Sequence, residues 1–253
     1  MGLLSFSFGY GGSDSPYYLE KGLWYFKKDA LSLEKGETLA PLNKKFAKSN
    51  RTAYFESSTI AGADAPSFRM LDNSYARDTN RVYRDHEAFN VRDINTYQRI
   101  GDQHAKDKIS GYYMRAEIKG SDGSTFAFVD GHYSKDARHV FRSDYDSGKG
   151  AHAPVELSVT LPGADPATFA VIKDDYAADA NQVYPDGKVV SKASAAFRVL
   201  ENGYAASDKE VFYRGDVLKG ADVASFVVLS PTETGVTAQD KHGKFNYQKR
   251  AQQ

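Results

Sequence analysis

The sequence predicts an all-β fold of tandem repeats about 29 residues long, on the strength of two recurring phrases and one feature of composition. The first phrase joins an aromatic residue to an apolar–aromatic pair that begins seven positions later, usually with an aspartate at the third position after the first aromatic, and is clearest at 75–83. Four of its copies begin at equal intervals, at Phe46, Tyr75, His104 and Tyr133. Aromatic residues make up 13% of the chain, and large rings can supply a core for short strands. Such a fixed period is typical of an array whose neighbouring units bury one another's apolar faces.

The first phrase predicts a β-hairpin. Its aromatic strand ends at an aspartate, and a polar pair such as Thr79-Asn80 follows. Asp and Asn favour turns because they bond their own backbone and tolerate left-handed angles. Val-Tyr then begins the return strand, where β-branched and aromatic residues fit a pleated surface.

The second phrase, which includes Gly163–Phe169, predicts one short helical turn. Asp165 can cap the turn by accepting backbone N–H groups, and Pro166 suits its first position because its missing donor costs nothing there. Copies of the phrase occupy 62–68 and 220–226. We therefore expect about three short strands and one tight turn in each unit, with Phe169 and its equivalents in the core.

The repeat divides the chain into a lead-in at 1–16 and a single array of about eight repeats at 17–250. We expect an open or twisted β-stack, because a unit of about 29 residues is short for a four-stranded blade, which typically needs about 40. Propeller-like closure is the alternative. The spacing is broken by 14 extra residues within 142–160.

Composition excludes several classes of function. The chain has 33 basic and 33 acidic residues, which disfavours a nucleic-acid-binding surface. Its 253 residues include no cysteine, so disulfides, thiolate metal sites and a cysteine nucleophile are absent. The N-terminus lacks the basic residue of a signal peptide and no apolar stretch is long enough to span a membrane, so we expect a cytoplasmic protein.

Candidate metal-binding residues have a simpler structural interpretation. The repeated aspartates resemble the start of a calcium loop at Asp78 and Asp179, but the later Gly and Glu of such a loop are missing, which favours a role in turns. His132, His139 and Asp136 could form a weak metal site, although surface placement is favoured. His104 replaces a repeat aromatic, so we expect a packed ring there. We predict no metal, no cofactor and no catalytic residues.

The break in the period is the best candidate for a binding site. Insertions in repeat proteins map to loops, often on the binding face, although an insertion without function is the alternative. The segment is polar and glycine-containing. Its candidate partner-binding residues are Arg142, Asp144, Tyr145, Asp146, Lys149 and His152.

The two phrases together resemble the bacterial DKNYY repeat family, named for an Asp-Lys-Asn turn followed by paired tyrosines. The turn occurs here as Asp78-Thr79-Asn80 and Asp107-Lys108-Ile109, and the aromatic pair as Tyr112-Tyr113 and Phe212-Tyr213. The resemblance covers roughly 17–250 and implies a bacterial, β-rich protein of binding function. It also implies a partner, because such proteins are often encoded beside secreted toxins of contact-dependent and type VI systems.

We therefore expect a non-enzymatic, protein-binding module, an immunity protein that neutralises a cognate effector toxin in the cytoplasm of the producing cell. Mixed surface charge suits a specific protein partner. The alternative is a carbohydrate- or cell-envelope-binding repeat protein that uses Trp24, Tyr25 and the repeated tyrosines, which would then lie exposed in a row. A hydrolase is the third hypothesis and would require a deep pocket lined by Asp, Glu and His.

Overall fold

A computed structural model of the chain confirms the all-β repeat fold. It describes residues 15–101, 103–144, 158–173, 176–185, 187–189, 191–192, 197–230, 235 and 237–251. These residues form 31 short strands in eight antiparallel sheets, together with one 3₁₀ turn. Each sheet is open, with its strands hydrogen-bonded in chain order. In this part of the chain no helix is long and apolar enough to cross a membrane.

The chain divides into two compact units, 1–117 and 118–253. Unit 1 holds four sheets, the first with three strands and the others with four. Sheet 1 contains β1 (Tyr17–Glu20), β2 (Leu23–Phe26) and β3 (Asp29–Ala30); sheet 2 contains β4 (Ala40–Pro41), β5 (Phe46–Lys48), β6 (Ala53–Phe55) and β7 (Ser58–Thr59). Sheet 3 contains β8 (Arg69–Met70), β9 (Tyr75–Arg77), β10 (Val82–Arg84) and β11 (Glu87–Phe89); sheet 4 contains β12 (Gln98–Arg99), β13 (His104–Lys106), β14 (Gly111–Tyr113) and β15 (Ala116–Glu117).

Unit 2 holds the other four sheets, each with four strands. Sheet 5 contains β16 (Ala127–Asp130), β17 (Tyr133–Lys135), β18 (Val140–Ser143) and β19 (Ser158–Thr160); sheet 6 contains β20 (Ala170–Lys173), β21 (Tyr176–Ala178), β22 (Gln182–Pro185) and β23 (Ser191–Lys192). Sheet 7 contains β24 (Arg198–Val199), β25 (Tyr204–Ala206), β26 (Val211–Tyr213) and β27 (Asp216–Val217); sheet 8 contains β28 (Val227–Val228), β29 (Ala238–Asp240), β30 (Gly243–Asn246) and β31 (Lys249–Arg250).

The central hairpin of each four-stranded sheet has a fixed register that places a large ring opposite a small side chain. In sheet 3, Tyr83 pairs with Ala76, and both are buried. The same pairing joins Tyr54 with Ala47, Tyr112 with Ala105, Tyr184 with Ala177 and Phe212 with Ala205. Cross-strand pairs of this kind stabilise a sheet because their side chains lie within contact distance on one face.

Aromatic residues of the second phrase pack between consecutive sheets. In unit 1, the ring centroid of Phe68 lies 6.0 Å from that of Phe46 in sheet 2 and 5.6 Å from that of Tyr83 in sheet 3. In unit 2, Phe169 lies 5.4 Å from Tyr133 and 5.6 Å from Tyr184. All of these rings are buried, so the predicted aromatic core is confirmed.

The number of strands in each repeat differs from the prediction. Seven of the eight sheets have four strands, whereas the sequence suggested about three. The argument that one repeat is too short for a four-stranded sheet is wrong, because the outer strands are often only two residues long, as in β8 and β12. The predicted helical turn appears most regularly as the 3₁₀ segment Ile94–Thr96, capped by Asp93.

Each four-stranded sheet has two ends that differ in sequence. The turn between the second and third strands carries the repeat aspartate, for example Asp78 between β9 and β10. We call this end the aspartate edge. The turns between the first and second and between the third and fourth strands lie at the other end, which we call the opposite edge; in sheet 3 these turns are 71–74 and 85–86.

Candidate functional site

The aspartate edge carries one hydrogen-bond network that recurs from sheet to sheet. In sheet 3, Oδ1 of Asp78 accepts the backbone N–H groups of Asn80 and Arg81, both at 2.7 Å. Oδ2 accepts the backbone N–H of Asp64 at 2.9 Å and the hydroxyl of Tyr83 at 2.7 Å. One carboxylate therefore closes its own hairpin turn and also fastens the preceding helical turn to it.

The equivalent aspartates of four other sheets make the same contact with the preceding turn. The bonds run from the N–H groups of Asp93 to Asp107 (2.7 Å), Asp122 to Asp136 (2.9 Å), Asp165 to Asp179 (2.8 Å) and Asp222 to Asp240 (2.9 Å). A tyrosine hydroxyl again donates at Asp107 and Asp179, whereas Arg250 binds Asp240 in sheet 8. The network therefore recurs in both units.

A Ser or Thr of the second phrase completes the connection in the other direction. In unit 1, Oγ of Ser67 donates to the Asp64 carboxylate and accepts the N–H of Thr79 at 3.1 Å. The hydroxyls of Thr96, Thr125, Thr168 and Ser225 accept the N–H groups of Lys108, Ala137, Ala180 and Lys241, each at 3.0 or 3.1 Å. This bond explains why the second phrase places Ser or Thr just before its aromatic residue.

The buried aspartates are ionised, and their carboxylate oxygens accept hydrogen bonds from nearby donors. Burial acts to raise the pKa of Asp78, but the hydrogen bonds from Tyr83 and from three backbone N–H groups outweigh it, so the pKa lies below its usual value. Burial, followed by the hydrogen bond to Asp78, raises the pKa of Tyr83. The carboxylate oxygens face N–H and O–H donors rather than a space for a cation, which supports the turn role over the calcium hypothesis.

His104 and His139, two of the histidines singled out in the sequence, pack against aromatic rings. His104 is fully buried and its ring centroid lies 5.0 Å from that of Tyr113, so the predicted packed ring is confirmed. Nδ1 of His139 lies 3.6 Å from Oδ1 of Asp136, an oxygen that already accepts two backbone N–H groups. Within the described ranges, no three His, Cys, Asp or Glu side chains are grouped as a metal site would require.

The opposite edge of unit 1 contains a polar depression of about 490 Å³. It lies where sheets 2, 3 and 4 follow one another. Its lining residues are Lys45, Asp72, Asn73, Ser74, Tyr75, Arg84, Asp85, Arg99 and Gln103. This volume falls within the range of small-ligand pockets.

One wall of the depression is held rigidly by Tyr75 and Arg99. The guanidinium carbon of Arg99 lies 3.9 Å from the ring centroid of Tyr75, a cation–π contact. Nε of Arg99 donates to Asp72 at 3.0 Å, and Nη1 donates to the carbonyl of His104 at 3.1 Å. The Tyr75 hydroxyl donates to the carbonyl of Met114 at 3.4 Å. These bonds link sheets 3 and 4 and fix the wall before any ligand arrives.

Other groups in the depression have unused hydrogen-bonding capacity. Among the described residues, the guanidinium of Arg84 has no hydrogen-bond or ion-pair partner and lies 6.0 Å from the Tyr75 ring centroid. Oε1 of Gln103 is buried without a hydrogen-bond partner. Lys45 and Asp85 lie 4.0 Å apart, a distance at which a partly exposed ion pair is weak. Arg84 is therefore the group best placed to bind something else.

The positions of Arg84 and Gln103 hold different residues in different repeats. Arg84 ends the third strand of sheet 3, where Phe55 and Tyr113 end the third strands of sheets 2 and 4. Gln103 directly precedes its repeat aromatic, as Lys45 does in sheet 2. A position that changes from sheet to sheet is not required by the shared fold.

The described ends of the predicted insertion lie in sheet 5, where Arg142 and Ser143 end β18 and Ser158 begins β19. Nη1 of Arg142 lies 3.0 Å from Oδ2 of Asp144, so the structure brings these two predicted residues together. The Arg142 side chain packs so closely over Gly187 that a Cβ there would overlap it. The other predicted residues, Tyr145, Asp146, Lys149 and His152, lie outside the described residues.

Sequence reasoning missed the depression, because its residues come from three sheets. The signal that could have found it is the difference between repeats at equal positions, such as Arg84 among aromatic residues.

Comparison with known proteins agrees with this repeat architecture. Residues 12–87 match the model of the DKNYY family. The match confirms the resemblance predicted from the sequence over these residues. The matched segment reaches from the start of sheet 1 into sheet 3, and the aspartate network recurs in the sheets beyond it. No curated protein and no solved structure matches the chain.

Proposed function

We propose that this DKNYY repeat protein is a non-enzymatic binding module that recognises another protein through the opposite edge of its sheets. The observation that carries the proposal is the depression in unit 1, where Arg84 occupies a variable repeat position and has unused hydrogen-bonding capacity. The aspartates and most repeat aromatics, in contrast, are engaged in holding the fold. Function in a repeat array is expected at the positions that the fold leaves free.

The family resemblance supplies the proposed class of partner. DKNYY proteins are often encoded beside secreted toxins, so we propose an immunity protein that binds and neutralises a cognate toxin of a type VI or other contact-dependent system. It would act in the cytoplasm of the producing cell. The balance of 33 basic and 33 acidic residues suits recognition by complementary charge, which sets partner choice and association rate.

Burial of the repeat tyrosines disfavours the carbohydrate- or envelope-binding alternative. It requires a row of exposed repeat tyrosines, but Tyr54, Tyr83, Tyr112, Tyr184 and Tyr204 are at most 1% exposed. Their rings fill the spaces between sheets and cannot stack on a sugar. Protein binding is therefore the better supported of the two hypotheses.

The test is coexpression with the product of the adjacent gene, followed by affinity purification and a growth-protection assay. We expect a stable complex and protection of cells that express the toxin. Arg84→Gln should weaken both, whereas Arg69→Gln should change neither, because Arg69 is exposed in the same sheet but lies outside the depression. Absence of a complex and of protection with the wild-type protein would refute the proposal.

A further inference from the structure

The charged groups that line the depression in unit 1 favour a particular class of ligand. The described part of its lining has three cationic side chains, Lys45, Arg84 and Arg99, and two anionic ones, Asp72 and Asp85. Arg99 is committed to Asp72 and to Tyr75, and Lys45 lies nearest Asp85. Arg84 is thus the positive group that remains to be neutralised.

A guanidinium in such a position selects a particular kind of ligand. Its planar donors match a carboxylate or phosphate in geometry and charge, and such charge-assisted bonds are stronger than neutral ones. The rigid wall of Tyr75 and Arg99 lowers the cost of ordering the site on binding. The bound group is therefore an anion that can reach the face of this wall.

The remaining acceptors distinguish between the two anions. Asp72 and Asp85 add carboxylate oxygens to the lining. A compact phosphate would bring several charged oxygens against these acceptors. A peptide segment brings a single carboxylate together with backbone N–H donors, and so can pair with Arg84 beside these acceptors.

We infer that the depression of unit 1 binds an acidic segment of a partner protein, whose carboxylate pairs with Arg84. The inference deepens the proposed function and rests on it for the protein nature of the partner. It assigns the site to a peptide and not to a free anion.

The experiment measures fluorescence anisotropy of a labelled peptide with the sequence Gly-Ser-Glu-Glu-Glu-Glu-Gly-Ser, with a glutamine-substituted peptide as control. The full-length protein should bind the acidic peptide and not the control. Arg84→Gln should weaken binding about tenfold, because it removes the partner of the peptide carboxylate. Arg69→Gln is the matched control and should bind as the wild type does, and circular dichroism should show all variants folded.

Two results would overturn the inference. Equal weakening by Arg84→Gln and Arg69→Gln would show attraction by overall charge alone. Displacement of the peptide by inorganic phosphate at concentrations below those of the peptide would show a free-anion site. A toxin complex that does not depend on Arg84 would refute this inference but leave the proposed function, whereas Arg84-dependent peptide binding without any protein partner would do the reverse.

Discussion

The two ends of a sheet contrast sharply in how much they repeat. At the aspartate edge, five sheets make the same bond between an aspartate carboxylate and the N–H of a second aspartate in the preceding turn. At the opposite edge, equal positions hold Phe55, Arg84 and Tyr113. Because the protein is built of repeats, its sheets can be compared with one another: contacts that recur report on the fold, and we propose that positions that differ serve recognition.

The aspartate edge shows how much variation the fold accepts. In sheets 2 and 7 a serine takes the place of the aspartate. Oγ of Ser207 accepts the N–H groups of Lys209 and Glu210 at 3.1 and 2.9 Å, so the hairpin turn is still closed. Ser49 does the same with Arg51 and Thr52. The turn contact is therefore kept even where the carboxylate is lost.

Acid should produce the largest effect, because it acts on all the repeat aspartates at once. The pKa values of Asp78, Asp107, Asp136, Asp179 and Asp240 all lie below their usual value. A carboxylate with a lower pKa in the folded state stabilises the protein above its unfolded pKa of about 4, and this stability is lost as the pH falls through the folded pKa. Urea midpoints should therefore fall steeply below about pH 4. Equal midpoints at neutral pH and at about pH 3 would contradict the role given to these carboxylates.

Removal of a single aspartate should have the next largest effect. Asp78→Ala leaves three N–H groups and the Tyr83 hydroxyl without their acceptor and should lower the free energy of unfolding by about 3 kcal/mol. Asp78→Ser should cost less, because Ser49 and Ser207 close their turns. Asp85→Asn at the opposite edge is the control, because Asn also tolerates the left-handed backbone at this position, and it should change the free energy of unfolding by less than about 0.5 kcal/mol. Urea unfolding measures all three, and similar costs for Asp78 and Asp85 would remove the contrast between the edges.

Removing or adding one tyrosine hydroxyl at the aspartate edge should change the free energy of unfolding by a smaller amount. Tyr83→Phe loses the 2.7 Å bond to Asp78 and should cost about 1 kcal/mol. Sheet 5 has Phe141 at the same position, so Phe141→Tyr should supply Asp136 with the missing donor and stabilise unit 2 by up to about 1 kcal/mol. Chemical denaturation of both variants checks the pair. Destabilisation by Phe141→Tyr would show that the sheets are less equivalent than their sequences.

The smallest effect on stability is expected for Arg84→Gln. The side chain has no hydrogen-bond or ion-pair partner among the described residues, so its loss should change the free energy of unfolding by less than about 0.5 kcal/mol. Thermal and urea unfolding measure the change. A loss of more than about 1 kcal/mol would make Arg84 a structural residue and weaken its assignment to recognition.

Much of the fold could be predicted from the sequence, because the repeat period reflects the packing of equivalent residues in successive sheets. The equal spacing of Tyr75, His104 and Tyr133 fixes which residues are equivalent, and the hairpin, the aspartate turn and the aromatic core follow from residue types. The fourth strand could not be predicted, since two residues such as those of β8 carry no periodic pattern. The bond between Asp64 and Asp78 was also beyond reach, because it depends on how the two turns pack.

The candidate site was less accessible to sequence reasoning. The predicted insertion was noticed because it breaks the period, and two of its residues, Arg142 and Asp144, form an ion pair. The depression causes no change in spacing. It arises where Tyr75, Arg84 and Gln103 from two sheets meet, and only the structure shows which of their polar groups are already bonded.

The most direct test of the contrast between the edges is the dissociation constant of the complex with the copurified partner protein, measured by titration calorimetry for Arg84→Gln and Asp78→Ser. We expect Arg84→Gln to weaken binding about tenfold with unchanged stability. We expect Asp78→Ser to lower stability and to leave the dissociation constant of the folded protein unchanged. The opposite pattern, with binding lost in Asp78→Ser and kept in Arg84→Gln, would place recognition at the aspartate edge and refute the proposed division between the two edges.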